Sequence, residues 1–432
     1  MKKYRISIAV ILAVLLALSG FVAVSYAKTS VRTGEAPIIF LADQQLAAGQ
    51  SQYDEPVLGG LFSKRAVVDN PDALRELGTL ATATVPLFAQ TEHGSRQEEY
   101  APAITLTLWL EDAEIFSGAP EEYEAFQYTE NGTYRAKLVA EIAASEHMSH
   151  AVFMYDIAFE LDVRPVVLFS SDRARQGDIL SVYVNRGFEQ QKPTIKTALG
   201  TAIFLPLSAD EFVAYVPVNY AQKLGKWDVD VHLGAETFSE GIIVTGRAFK
   251  EQHMTISQST ADATMNNPDG PKNWAERIKV LWDTYDEKKY WTDTFIKPCE
   301  GRISTEFGLY RYTNNNPVPT RHTGIDIAAP KGTPVLASNS GRVVRAEDII
   351  YTGNTVVIEH GGGLKTYYYH MDTLDVKEGD IVRLGDIVGT VGSTGYSTGA
   401  HLHFEVKIGS HSLSPWEMFD GTSGMYYLSK EL

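Results

Sequence analysis

Hydrophobic and polar positions change rhythm several times along the chain. Lys2, Lys3 and Arg5 lead into an apolar run over residues 6–18, the charge-then-apolar order of an export signal. Residues 6–27 number 22, close to the roughly 20 that cross a bilayer as a helix. Ser25-Tyr26-Ala27 puts small residues where a signal peptidase reads. Residues 1–27 are therefore expected to be a signal peptide or a membrane anchor. Everything after about Lys28 is expected to lie outside the cytoplasm, secreted or held at the membrane by this segment.

Short alternating stretches follow. Over residues 36–163 they include 104–110 (ITLTLWL) and 134–139, separated by turn clusters such as Glu130-Asn131-Gly132. Residues 164–248 repeat the style at 166–169, 179–184, 212–217 and 227–233. Alternation with regular turns predicts two antiparallel β-sandwich modules. His147 and His150 read as a solvated turn, because no third ligand is close in sequence. Over 249–297 the period changes. Trp274, Ile278, Leu281, Trp282 and Tyr285 fall at i, i+4, i+7, i+8 and i+11 after Asn267-Pro268-Asp269-Gly270-Pro271, which predicts a linker with one amphipathic helix. From Pro298 on, strand-like runs at 341–344, 354–360, 365–370, 376–384, 387–391 and 401–406 alternate with glycine turns. A compact, mostly antiparallel β domain over 298–420 is expected, with 421–432 as a tail.

Composition narrows the chemistry. The chain has 432 residues, with 38 Lys+Arg against 54 Asp+Glu, a net charge of −16. Nucleic-acid binders need a basic face, so that partner class is excluded. A hydrophobic share of 44% and a charged share of 21% are those of globular domains. Cys299 is the single cysteine, which rules out an intramolecular disulfide and Cys-rich zinc sites. Beside Pro298 and without an adjacent base, it reads as a small buried hydrophobe. Any metal must be held by His, Asp or Glu. Of 11 histidines, His322, His360, His370, His401, His403 and His411 all follow Pro298.

Two local patterns organise that group. In His322-Thr323-Gly324-Ile325-Asp326, strand alternation sends the Asp326 carboxylate away from Ile325 and Ile327 and into a cleft. In His401-Leu402-His403 both imidazoles share one strand face, about 6.5–7 Å apart. A catalytic zinc takes three ligands from His and Asp or Glu and keeps a fourth position open. His322, Asp326 and one of His401 and His403 supply such a set. The remaining histidine of the pair, with His370 in Tyr367-Tyr368-Tyr369-His370-Met371, is then free for proton transfer or for hydrogen-bonding an oxyanion. His360, ahead of Gly361-Gly362-Gly363, reads as a strand end, and His411 as part of a strand turn.

Residues 321–335 (RHTGIDIAAPKGTPV), Tyr368-Tyr369-His370-Met371, Gly379-Asp380 and residues 395–405 ending in His401-Leu402-His403-Phe404-Glu405 together resemble the lysostaphin-like (LytM-type) zinc endopeptidases that cut peptidoglycan. The resemblance covers about residues 298–420. It implies His322, Asp326 and His403 as ligands of one zinc ion, and His370 and His401 as the pair acting on water and the tetrahedral intermediate. It further implies an extracytoplasmic metalloendopeptidase whose zinc-activated water attacks peptide cross-links of peptidoglycan. The preceding blocks are similar to the immunoglobulin-like modules of some secreted members. The whole then reads as a mostly β protein with two immunoglobulin-like sandwiches, a helical linker and a carboxy-terminal antiparallel β peptidase domain. Family members often carry a loop tyrosine near the metal, whereas the loop 311–320 has Asn314-Asn315-Asn316, with Tyr310 and Tyr312 as neighbours. The alternative from another class is a non-catalytic wall-associated regulator of a different hydrolase; such proteins typically lack ligands that are intact here. A third reading, a biotinyl-type carrier suggested by residues 376–389, fails for want of a lysine at a hairpin tip.

Overall fold

The computed structural model describes residues 2–90 and 102–427; residues 91–101 of the first β block and 428–432 of the tail lie outside the described residues. Residues 1–164 and 165–432 form two compact units, both mainly β.

The first unit begins with the helix Lys2–Lys28. Its stretch Val10–Lys28, with mean hydropathy 2.4, is long and apolar enough to cross a membrane, as a signal or anchor requires. A three-stranded sheet places Ile38–Leu41 between Gln44–Leu46 and Leu87–Gln90. A seven-stranded sheet is built on the long hairpin of Gly132–Ile142 and His150–Leu161. Tyr134, Ala136, Leu138, Ala140 and Ile142 are buried at every second position, which is why period-two alternation forms a strand here. His150 is on a strand and pairs with Glu141 at 2.8 Å.

In the second unit two four-stranded sheets face each other across Leu180, Val182, Val184 and Val216 on one side and Val229, Val231, Ile242 and Val244 on the other. The strands Ile179–Asn185 and Glu211–Pro217 are buried on both faces. Their second faces carry Ile179, Val213 and Tyr215 into one core with Trp291, Phe295, Leu364 and Ile408. The continuous apolar run FVAYVPV needs a cover on each side, and the carboxy-terminal sheet is the second cover. Arg247 clamps this junction, 2.7 Å from Asp178 and 2.9 Å from Glu417.

The carboxy-terminal sheet has ten strands, with central order Arg302–Thr305, Ile325–Ala328, His401–Ile408, Leu364–Leu374, Gly353–Glu359, Gly341–Ile349, Ile381–Val382. The stretch 376–384, read as a strand, keeps only Ile381–Val382 in that conformation. Gly379 adopts φ +96° and Lys377 donates its backbone N–H to Asp380 there, which makes a turn.

The single amphipathic helix expected near 274–285 is two pieces. An α-helix, Gly270–Arg277, is followed by a 3₁₀ turn, Lys279–Asp283. Ile278, at φ −110°, ends the first piece. It packs with Leu281 on the outer sheet face formed by Val357, Tyr367 and Tyr369. Full burial of Ile278 is worth roughly 1.5–3 kcal/mol, enough to outweigh the one or two helical hydrogen bonds, at about 1 kcal/mol each, that the break costs. Tyr285, placed on the same apolar stripe by its spacing, is half exposed.

Candidate metal centre and active site

Three strands deliver the charged groups. Ile325–Ala328 runs antiparallel to His401–Ile408 with Asp326 opposite His403, and Tyr369 is opposite His403 on the other side. Ile325 and Ile327 are in the core while Asp326 faces the groove, as alternation requires. Gly324 makes this approach possible: a Cβ there would lie 2.1 Å from the Phe404 carbonyl oxygen.

His322 Nε2 is 2.9 Å from Asp326 Oδ1 and 3.0 Å from His403 Nδ1, and His403 Nδ1 is 2.7 Å from Asp326 Oδ1. All three side chains are buried. Their outer atoms fix which nitrogen faces inward. His322 Nδ1–H donates to the Glu306 carbonyl at 2.9 Å, and His403 Nε2–H donates to Glu405 Oε1 at 3.1 Å. Glu405 is held by Thr323 and by Lys407, whose Nζ lies 2.9 Å from Oε2. Two imidazole lone pairs and a carboxylate oxygen therefore converge, an arrangement that repels itself unless a cation sits among them. Among the described residues it is the one cluster of three such side chains able to hold a metal.

A proton on His403 is the other way to relieve that repulsion. Burial works against charge on His403, yet Asp326 and Glu405 lift its imidazole to about 9. Burial likewise opposes ionisation of Asp326, but His322 and His403 hold it well below the usual carboxylate range. His322 is lowered, chiefly by burial. The pocket between the two carboxylates thus favours positive charge.

His401 and His370 stand beside this cluster. His401 Nε2 is 3.8 Å from Asp326 Oδ1, and its Nδ1–H donates to the Gly399 carbonyl at 2.8 Å. The His370 and His401 rings lie 4.8 Å apart. Plain alternation would send His370 into the core with Tyr368. Instead one extra residue bulges from the strand opposite Asn354–Val356, and His370 takes φ +61°, so its ring turns into the groove. Its backbone N–H donates to the Thr352 carbonyl and its Nδ1–H to the Thr394 carbonyl, both at 2.8 Å. Burial, with His401 and His403 nearby, pushes His370 down to about 3, so it is neutral at pH 7.

The structure brings His322, Asp326, His370, His401 and His403 to one groove of about 510 Å³. His360 is elsewhere, buried and bonded to the Ser340 carbonyl and to Thr366. Cys299 is buried, and burial raises its thiol to about 12. Tyr310 and Tyr312 are away from the groove lining: Tyr310 covers Arg321 at 4.2 Å and Tyr312 stacks on His253 at 4.7 Å. Spacing had not marked Arg311, which donates to Asp326 Oδ2 at 3.1 Å, nor given Glu405 a role. The one sequence signal for Glu405 is parity, two positions beyond His403 on the same strand face. The stretch read as a linker also lines the groove, through Gln252, Met254, Ile256, Met265 and Trp274.

Sequence comparison relates the carboxy-terminal domain to known peptidases. Residues 320–415 match peptidase family M23. The DD-carboxypeptidase/endopeptidase Mpg of Neisseria meningitidis is 45% identical over 114 residues, 26% of each chain. Lysostaphin of Staphylococcus staphylolyticus is 43% identical over 95 residues, 22% of this chain and 20% of that protein. The chain thus spans about a quarter or less of the length of these relatives. The crystallised catalytic domain of lysostaphin from Staphylococcus simulans is 28% identical, covering 33% of this chain and 98% of that one, with a TM-score of 0.23. The carboxy-terminal domain is a peptidase family M23 domain, related in sequence to lysostaphin-like peptidoglycan endopeptidases.

Proposed function

We propose that the protein is an extracytoplasmic zinc metalloendopeptidase that hydrolyses peptide cross-links of peptidoglycan. The observation that carries this reading is the triangle of His322 Nε2, Asp326 Oδ1 and His403 Nδ1, with sides of 2.9, 2.7 and 3.0 Å. His322, Asp326 and His403 would hold the zinc, in the manner of three-ligand catalytic sites. A zinc ion bound by such a set supplies Lewis acidity, which polarises a carbonyl and makes water nucleophilic near neutral pH.

The remaining histidines divide the proton work. Each donates Nδ1–H to a backbone carbonyl, which leaves Nε2 as the basic atom of the neutral ring. Burial disfavours charge on His370, whereas His401 lies beside the Asp326 carboxylate. His401 therefore accepts the proton of the attacking water and passes it to the departing amine, while His370 orients the reacting groups. The apolar helix Val10–Lys28 and the flanking Lys2, Lys3 and Arg5 support placement outside the cytoplasm, secreted or anchored. We assign the blocks 36–163 and 164–248 to immunoglobulin-like modules that carry the peptidase domain toward the wall.

The test is metal content beside turnover. His322→Ala is expected to lose both zinc and cleavage of cross-linked muropeptides. His401→Ala is expected to keep one zinc per chain and lose turnover by about 10²–10⁴-fold. An active, zinc-free His322→Ala protein would overturn the assignment.

A further inference from the structure

The geometry points to Gln252 as a positioning residue of the metal centre that acts through Arg311 on Asp326. This rests on the metal-binding reading above and names two residues outside the ligand set that shape it. The strand Glu251–Met254 pairs in parallel with Tyr310–Thr313, with Gln252 directly opposite Arg311. Both side chains line the groove. Gln252 Oε1 accepts from Arg311 Nε at 3.0 Å, and the Arg311 terminal N–H donates to Asp326 Oδ2 at 3.1 Å. The other oxygen, Oδ1, is the one that meets His322 and His403 at 2.9 and 2.7 Å.

The two oxygens of one carboxylate thus have separate tasks. A carboxylate can offer a metal either oxygen or both, and a guanidinium on Oδ2 removes all but the Oδ1 mode. That control is only as good as the aim of the guanidinium. Arg311 reaches Asp326 through a flexible stem, and a second contact at Nε sets the plane of its fork. Gln252, 59 residues away in sequence, makes that contact. Its strand is pinned in turn by Asn314, whose side chain accepts from the Ile256 N–H at 2.8 Å and donates to the Ile256 carbonyl at 3.3 Å. Asn314 adopts φ +51°, a conformation that asparagine tolerates better than most residues. The asparagine-rich loop therefore anchors the segment that aims Arg311.

The experiment uses the full chain. Zinc affinity is measured by competition with a chromophoric chelator, and ligand geometry is read from the absorption spectrum of the cobalt-substituted protein. Arg311→Ala is expected to weaken zinc binding by roughly 10–100-fold, the loss typical when a partner of a ligand is removed. Gln252→Ala, one step further out, is expected to weaken it by about 5-fold and to shift the cobalt bands. Gln252→Glu, which keeps an acceptor oxygen for Nε, is expected to restore both. The double variant is expected to be no weaker than Arg311→Ala alone, because the two act in series. Wild-type affinity and cobalt spectrum in Gln252→Ala would overturn the inference, as would losses that add in the double variant. A wild-type chain that takes up no metal would overturn the underlying reading and this inference with it.

Discussion

His370 is held in a backbone conformation that its own side chain disfavours. A non-glycine residue at φ +61° costs of order 1–3 kcal/mol, and the Thr352 and Thr394 carbonyls hold it there. Asparagine tolerates this region and is smaller than imidazole. His370→Asn is therefore expected to unfold within about 1 kcal/mol of the parent while turnover falls by about 10²-fold or more. Denaturant melts and muropeptide cleavage on the same preparation check this, and retained turnover would remove His370 from the chemistry. Parity alone revealed much of this centre: Asp326 between two core isoleucines, and His401 and His403 astride Leu402. The family resemblance implies His403 and not His401 as the inward ligand; the structure puts His403 Nδ1 2.7 Å from Asp326 and His401 Nε2 3.8 Å away. The inward turn of His370 was not legible, because a bulge depends on pairing with Asn354–Val356. Nor were the contacts of Arg311 with Asp326 and with Gln252, 59 residues away, which need the pairing of two strands.

The segment between the sandwich and the peptidase domain does more than connect. Its strand Glu251–Met254 pairs with Tyr310–Thr313 in a small three-stranded sheet beside the candidate metal centre, and Ile278 and Leu281 seal the outer face of the ten-stranded sheet. Below that seal Lys365 pairs with Glu359 at 2.7 Å, both fully buried, and donates to the Thr284 carbonyl. The periodicity of 274–282 correctly marked an apolar face. It could not show that burying Ile278 and Leu281 ends the α-helix at Arg277. His360, next in sequence to Glu359, packs instead on the inner core, against Phe295 and Thr366. Burial pushes its imidazole down to about 4, against about 6.5 in an unfolded chain. Between those values the unfolded state binds the extra proton, so stability is lost as pH falls from about 6.5 to about 4, by about 3 kcal/mol in all. Urea melts of the parent and of His360→Gln across that range are expected to show a steeper fall in the parent. Parallel pH profiles would contradict this.

In the unit 165–432 sandwich and carboxy-terminal sheet share one core, through Ile179, Val213, Tyr215, Trp291 and Phe295. Strand identities were readable in both parts, but a run such as FVAYVPV shows only that two covers are needed, not which element supplies the second. A fragment of residues 298–432 lacks Ile179, Val213, Tyr215, Trp291 and Phe295. It is expected to aggregate or to bind a hydrophobic dye where the full chain does not, and a soluble fragment with one sharp unfolding transition would contradict the shared core. Charge is spread over the whole chain: from Pro298 on, 11 Lys and Arg stand against 15 Asp and Glu, −4 of the total −16. That argues against electrostatic attachment to anionic wall polymers. The most direct test of the whole account is mass spectrometry of cross-linked muropeptide dimers incubated with the full chain before chelation, after chelation, and after zinc is restored. The expected result is release of monomers, loss of that release on chelation, and its return with zinc. Undiminished release by the metal-stripped chain, or intact dimers with one zinc bound, would contradict it.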